Sequence, residues 1–156
     1  MSDEITAFPL SWPAGWKRSR NPECSKFGKR KANAGSYIYK ARITIGEAVR
    51  DLLDELRKMG VPDHGVIIST NLKLRLDGLP YSQQKEPDDA GVSVWWKKGK
   101  VNRVIALDKY NRIADNIYAV AKTIEALRGI DRWGSGEILE RTFTGFDALP
   151  PPPGND

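Results

Sequence analysis

Between two stretches of helical periodicity, residues 66 to 108 switch to a period of two, and this order limits the chain to few folds. On the N-terminal side, Thr44-x-x-Glu47 has the spacing of a capping box, in which each residue satisfies a free amide of the other's turn. Ile45, Ala48, Val49, Leu52, Leu53 and Leu56 then recur at three- and four-residue steps, and Gly60 and Pro62 close the helix. Its other face, Glu47, Arg50, Asp51, Asp54, Glu55, Arg57 and Lys58, reads as a solvated surface. On the C-terminal side, Asn111 to Arg128 places Ile113, Ile117, Val120, Ala121, Ile124 and Leu127 on one stripe, with Gly129 as its stop.

Strand patterns fill the interval and precede the first helix. YIYKARITI alternates Tyr37, Tyr39, Ala41, Ile43 and Ile45 with Ile38, Lys40, Arg42 and Thr44. From Val66 to Leu76 a second strand sets Leu72, Leu74 and Leu76 against Asn71, Lys73 and Arg75. VSVWWKK, Gly99 and KVNRVIALD read as a hairpin, with Val92, Val94 and Trp96 on one face and Ser93, Trp95 and Lys97 on the other. A short third helix begins near Ser135, with Ile138, Leu139 and Phe143 apolar. The expected fold is α+β: a small antiparallel or mixed sheet of about four strands with two main helices on one face, in the order β-α-β-β-β-α plus a short C-terminal helix. One polar sheet face is then left uncovered. The division is an aromatic and basic extension over 1–35, a single domain over 36–146 and a proline-rich tail over 147–156, a chain length suited to one core.

Charge points to a partner class. From Trp16 to Arg42, nine Lys or Arg stand against one acid, Glu23, with four aromatics interleaved. The segment's net charge of +8 exceeds the +5 of the whole chain, so basicity is concentrated. Such a footprint fits a polyanion, most often nucleic acid. Lys17 to Gly35, broken by Pro22, Gly28 and Gly35, reads as a mobile basic loop, while Phe8, Trp12 and Trp16 argue for an extended segment packed on the domain.

If the polar strand faces coincide, Lys40, Arg42, Lys73, Arg75, Trp95 and Lys97 form a basic surface with an aromatic in it, extended by Lys98 and Lys100 at the hairpin turn. Cations neutralise phosphates and an exposed aromatic stacks on an unpaired base, which suits single strands better than a duplex groove. The expected function is therefore non-catalytic binding of single-stranded nucleic acid, with DNA favoured. Phosphates would meet Lys17, Arg18, Arg20, Lys29, Arg30, Lys31 and the strand cations, and Trp95 would stack.

Other chemistry is thinly represented. One cysteine, Cys24, excludes an internal disulfide and a cysteine-based zinc site; the single histidine, His64, cannot form a multi-histidine site. No phosphate-binding glycine loop, zincin helix or Gly-x-Ser-x-Gly elbow occurs, so neither catalysis nor a cofactor is expected. A nuclease using magnesium at Asp77 and Asp108 is the weakest reading, since turn and cap roles account for both. No apolar run approaches the ~20 residues of a membrane span, and the N-terminus lacks the order of a secretory signal, so the cytoplasm is the expected location. Homo-oligomerisation stays open. A protein-interaction module, engaging a phage or host protein through the aromatic N-terminus or Pro150 to Pro153, is the alternative.

Four segments carry a resemblance: AFPLSWPAGWKRS at 7–19, NLKLRLDGLPYS at 71–82, DNIYAVAKTIEALRGIDRWG at 115–134 and FTGFDALP at 143–150. Together they resemble a poorly characterised family of proteins from bacteriophages and bacterial mobile elements, whose longer members continue into a J domain. The resemblance implies an accessory of phage or element DNA metabolism, with no catalytic residues to transfer. These 156 residues include no J domain, and Pro62-Asp63-His64 is not the His-Pro-Asp tripeptide of such modules, so co-chaperone activity is not expected.

Overall fold

The computed structural model describes residues 4–32, 38–76, 84–134 and 136–150. It is an α+β fold with the elements β1 (Lys29–Ala32), β2 (Ile38–Ala41), α1 (Ile45–Lys58), a 3-10 turn (Asp63–Gly65), β3 (Val66–Ser69), β4 (Val92–Lys98), β5 (Val101–Leu107), α2 (Ile113–Trp133) and α3 (Gly136–Thr144). The strands form two sheets, not one. β1 and β2 make a separate antiparallel hairpin, and β3, β4 and β5 make an antiparallel meander in that order.

α1 forms where the capping box stands. Thr44 Oγ1 accepts from the Glu47 amide at 3.1 Å, and Glu47 Oε1 accepts from the Thr44 amide at 3.1 Å. The helix ends in a Schellman turn, with the Val61 amide on the Leu56 carbonyl and the Gly60 amide on that of Arg57. Gly60 takes φ +88 there, a value that excludes most side chains. Ala48, Leu52 and Leu56 are fully buried against α2 and the sheet.

α2 runs further than its periodicity predicts. Gly129 lies inside it, and the helix ends at Trp133, followed by Gly134. A glycine costs about 1 kcal/mol relative to alanine in a helix interior, which packing of the Ile113, Ile117, Val120 and Ile124 stripe outweighs. At the other end, Glu86 reaches from the preceding loop and accepts the Ile113 amide, so α2 is capped from a distance. α3 folds back from Gly136, burying Phe143 and leaving Ile138 exposed.

Two expected strands are shorter than read. Of YIYKARITI, Ile38–Ala41 form a strand, Tyr37 lies outside the described residues, and Arg42 to Thr44 lead into the helix cap. The second strand stops at Ser69, and beyond it the leucine run keeps only an isolated bridge at Leu74 among the described residues: Leu72 is buried, but Leu76 is fully exposed. Conversely, Lys29–Ala32, read as loop, pairs with β2. The β4–β5 hairpin matches expectation, with Lys98 opposite Val101 and a two-residue turn opening on Gly99 at φ +64.

The main sheet is covered on both faces. Val92, Val94, Trp96 and Ile105 face α1 and α2. The outward face carries the register pairs Ser69–Ser93, Ser93–Ala106 and Trp95–Val104. Ser93 and Val104 are fully buried and Trp95 is 9% exposed, which corrects the expectation of an open polar face.

The cover is the N-terminal segment. The Thr70 amide donates to the Ala7 carbonyl at 3.0 Å, and the Leu10 amide to Asn71 Oδ1 at 3.0 Å. The Ser11 amide donates to Ser69 Oγ at 2.7 Å, and Ser93 Oγ to the Ser11 carbonyl at 2.7 Å. Trp95 Nε1 completes the chain by donating to Ser93 Oγ at 2.9 Å. The segment then continues along the domain. Arg18 Nε and the Ser19 amide bind the Asp108 carboxylate, Glu23 bridges Lys109 and Asn111 through its backbone, and Phe27 packs edge-on against Tyr110 and Tyr118.

Two stability changes are expected. Ser93→Ala removes the acceptor for Trp95 and the donor for Ser11 in a dry site, and should cost about 1–3 kcal/mol in urea unfolding; an unchanged midpoint would show that the N-terminal segment is not bonded there. Gly129→Ala meets no atom within 4 Å and should raise stability by about 0.5–1 kcal/mol, whereas a loss would contradict a helix continuing through this position.

Candidate nucleic-acid interface

The cations predicted to share one sheet face are distributed over three parts of the fold. Lys40 lies on β2 of the separate hairpin, opposite Arg30, and Lys31 lies on β1 opposite Tyr39. Arg42 follows β2 and is exposed, with Nη2 4.0 Å from Cys24 Sγ. Lys73 and Arg75 lie beyond the end of β3. Only Lys97 remains on the main sheet, next to Lys98 and the turn residue Lys100. Trp95, expected to stack on a base, is buried beneath the N-terminal segment. Among the described residues, these cations therefore share no single sheet.

The basic segment itself is partly neutralised. Arg18 is bound by Asp89 and Asp108, with its guanidinium 4.3 Å from the Trp12 ring centroid. Burial works against its charge, but the two carboxylates outweigh it and raise its pKa. Lys29 pairs with Asp51 of α1 at 2.8 Å. Lys17, Arg20 and Arg30 are exposed and make no ion pair among the described residues. Asp108 is committed to Arg18 and Ser19, a structural role. Asp77 lies outside the described residues, as do residues 151–153 of the proline run. Among the described residues, no group of three or more His, Cys, Asp or Glu is placed to hold a metal ion.

A different basic constellation emerges where the end of α1, the tip of β4, β5 and the α2–α3 corner meet. Here a cleft of about 410 Å3 is lined by Lys58, Lys97, Lys98, Arg103, Arg128 and Arg132, with Glu140 as its acid. Trp96, Leu139 and Phe143 supply its apolar wall. Two further carboxylates pair with the cations: Arg128 Nη1 meets Glu55 at 2.6 Å, Lys58 meets the same residue at 3.4 Å, and Arg103 Nε meets Asp147 at 2.9 Å. Lys97, Lys98 and Arg132 make no salt bridge among the described residues and are exposed. Six cations thus face three carboxylates.

Each cation reaches the cleft for a local reason. Lys58 and Arg132 sit in the last turns of α1 and α2, where cations complement the helix dipole. Arg128 ties α2 to α1 through Glu55 without removing its charge from the cleft. Lys97 and Lys98 end β4, where the strand leaves the core. Trp133, next in sequence to Arg132, is 87% exposed. It is an aromatic surface of the kind Trp95 was expected to supply.

Arg103 is the buried member. It stands opposite Trp96 on the helix-facing side, with Nη2 bonded to Glu140 Oε1 at 2.6 Å and its guanidinium 5.9 Å from the Phe143 ring centroid. Burial opposes its charge, but Glu140 and Asp147 outweigh that effect and raise its pKa. The hydrogen bond from Arg103 holds the Glu140 carboxyl below its ordinary range, with Lys98 adding to the effect. This contact is therefore complete at neutral pH and is lost only as pH falls through the lowered pKa.

Lys97 and Lys98 were visible in the sequence at the hairpin turn, but only the fold brings them together with Arg103, Arg128 and Arg132. Comparison with protein-family models, with curated proteins and with solved structures finds no match, so the functional argument rests on this geometry.

Proposed function

We propose that the protein binds single-stranded nucleic acid, with DNA favoured, through the cleft between the β4–β5 tip, the end of α1 and the α2–α3 corner. The observation that carries this reading is the excess of cations in a concave site, with the exposed Trp133 next in sequence to its Arg132. Lys97, Lys98 and Arg132 would neutralise phosphates and release counterions, while Trp133 would stack on an unpaired base. The exposed Lys17, Arg20 and Arg30 add non-specific attraction at longer range. The reading fits an accessory of phage or mobile-element DNA metabolism acting in the cytoplasm. No helix among the described residues is long and apolar enough to cross a membrane.

A second reading, docking of a phage or host protein, has one observation in its favour. A groove of about 650 Å3 runs between Ile5, Trp12, Trp95, Val101 and Leu149, where Val101 and Leu149 are 44% and 59% exposed. It is more apolar in character than the cleft and is lined by a single lysine, Lys100.

Anisotropy titration with oligothymidylate should give a slope of log affinity against log salt of roughly −2, as expected for three phosphates neutralised on a single strand. Lys97→Glu combined with Arg132→Glu should weaken binding by at least about tenfold and flatten that slope. Trp133→Ala should cost about 1–3 kcal/mol of affinity and abolish a tryptophan-quenching signal. Its exposure means thermal stability should be unaffected. Binding that ignores salt, or that survives the double charge reversal, would move the interface elsewhere.

A further inference from the structure

Within the cleft, the two carboxylates on Arg103 are held very differently. Asp147 lies in a stretch that is laddered onto β5, with the Val104 amide on the Phe146 carbonyl at 3.0 Å and the Ala148 amide on that of Asn102 at 2.6 Å. Its place beside Arg103 is set by the backbone. Glu140 reaches in from α3, its side chain is 51% exposed, and Arg103 is its only side-chain partner among the described residues. Asp147 is thus a fixed counter-charge, and Glu140 an exchangeable one. The guanidinium uses Nε and Nη2 for these contacts, and Nη1 makes no hydrogen bond among the described residues.

Resting on the nucleic-acid reading of this cleft, we infer that Arg103 marks a subsite for a terminal phosphate monoester, which the Glu140 carboxylate occupies in the free protein. A guanidinium fork accepts a phosphate as it accepts a carboxylate, through parallel charge-assisted hydrogen bonds. A phosphate monoester carries nearly two charges and three acceptor oxygens at neutral pH. An internal phosphodiester carries one charge and only two free oxygens. The monoester can therefore replace Glu140 on Arg103 and still engage Lys98 or Arg132, which a carboxylate from α3 leaves without a salt bridge. Glu140 remains ionised at neutral pH, held so by Arg103 and Lys98, and so competes with the ligand for the same cations.

The test measures the anisotropy of labelled oligothymidylates ending in a 5′-phosphate, a 3′-phosphate or hydroxyls only, with wild-type protein, Glu140→Gln and Lys98→Gln. At least one phosphorylated end should bind about tenfold tighter than the hydroxyl-ended strand. Glu140→Gln, which keeps an acceptor for Arg103 but removes the competing charge, should tighten that end severalfold more than it tightens the hydroxyl-ended strand. Lys98→Gln, at an exposed position, should remove most of the preference while the melting temperature stays within error. Equal binding of all ends, indifferent to Glu140→Gln, overturns the subsite but leaves nucleic-acid binding intact. Failure to bind any oligonucleotide defeats the reading on which the subsite rests. Displacement by inorganic phosphate as potent as by the phosphorylated strand would assign the subsite to a free anion and overturn its assignment to a polynucleotide end.

Discussion

The β3–β4–β5 sheet is apolar on both faces, and that requirement organises the rest of the molecule. Helices α1 and α2 cover Val92, Val94, Trp96 and Ile105. Residues 5–16 must then cover Trp95, Val104 and Ala106, or a large apolar area would face water at roughly 25 cal/mol per Å2. Bringing an irregular segment onto a sheet buries polar backbone groups, and these need partners. Ser11, Ser69, Ser93 and Asn71 supply them, so hydroxyls that resemble a solvated strand face are the joints between two layers.

This constraint also decides where a ligand can bind. With both faces closed, the sheet offers no open platform, and its accessible charge lies at one end, where β4 leaves the core. Two helices end there, and helix ends attract cations. The third helix closes the corner and supplies Glu140. The cleft is thus a consequence of how the elements terminate, which is why its cations come from four separate elements: α1, β4, β5 and α2.

Features dictated by neighbours in sequence were legible, and those dictated by distant neighbours were not. Thr44 and Glu47 announce the start of α1, and Leu52 and Leu56 its buried face, because each depends on a spacing of three or four residues. The Lys98–Val101 turn needs only Gly99 between two alternating runs. By contrast, Leu72, Leu74 and Leu76 alternate as a strand does, but β3 ends at Ser69 and only an isolated bridge at Leu74 follows among the described residues. Gly129 stops a helix by intrinsic preference, yet here tertiary contacts carry the helix through it. Lys29–Ala32 has no apolar alternation, and its strand character exists only through β2. For Trp95 a usable signal was present: VSVWW and RVIAL are nearly continuous apolar runs, the pattern of strands buried on both faces. The basic residues from Lys17 to Lys31 were visible as a block, but their pairing with Asp51, Asp89 and Asp108 lies 22 to 90 positions away.

Amide chemical-shift mapping of the isotopically labelled protein during titration with oligothymidylate addresses the central claim directly. The cleft predicts that the largest changes fall on Lys97, Lys98, Arg132, Trp133 and Glu140, while Ser69, Ser93 and Trp95 beneath the N-terminal segment stay nearly constant. Changes concentrated on Ser93 and Trp95, with none around Arg132 and Glu140, would show that the N-terminal segment opens to expose the sheet and would contradict the account.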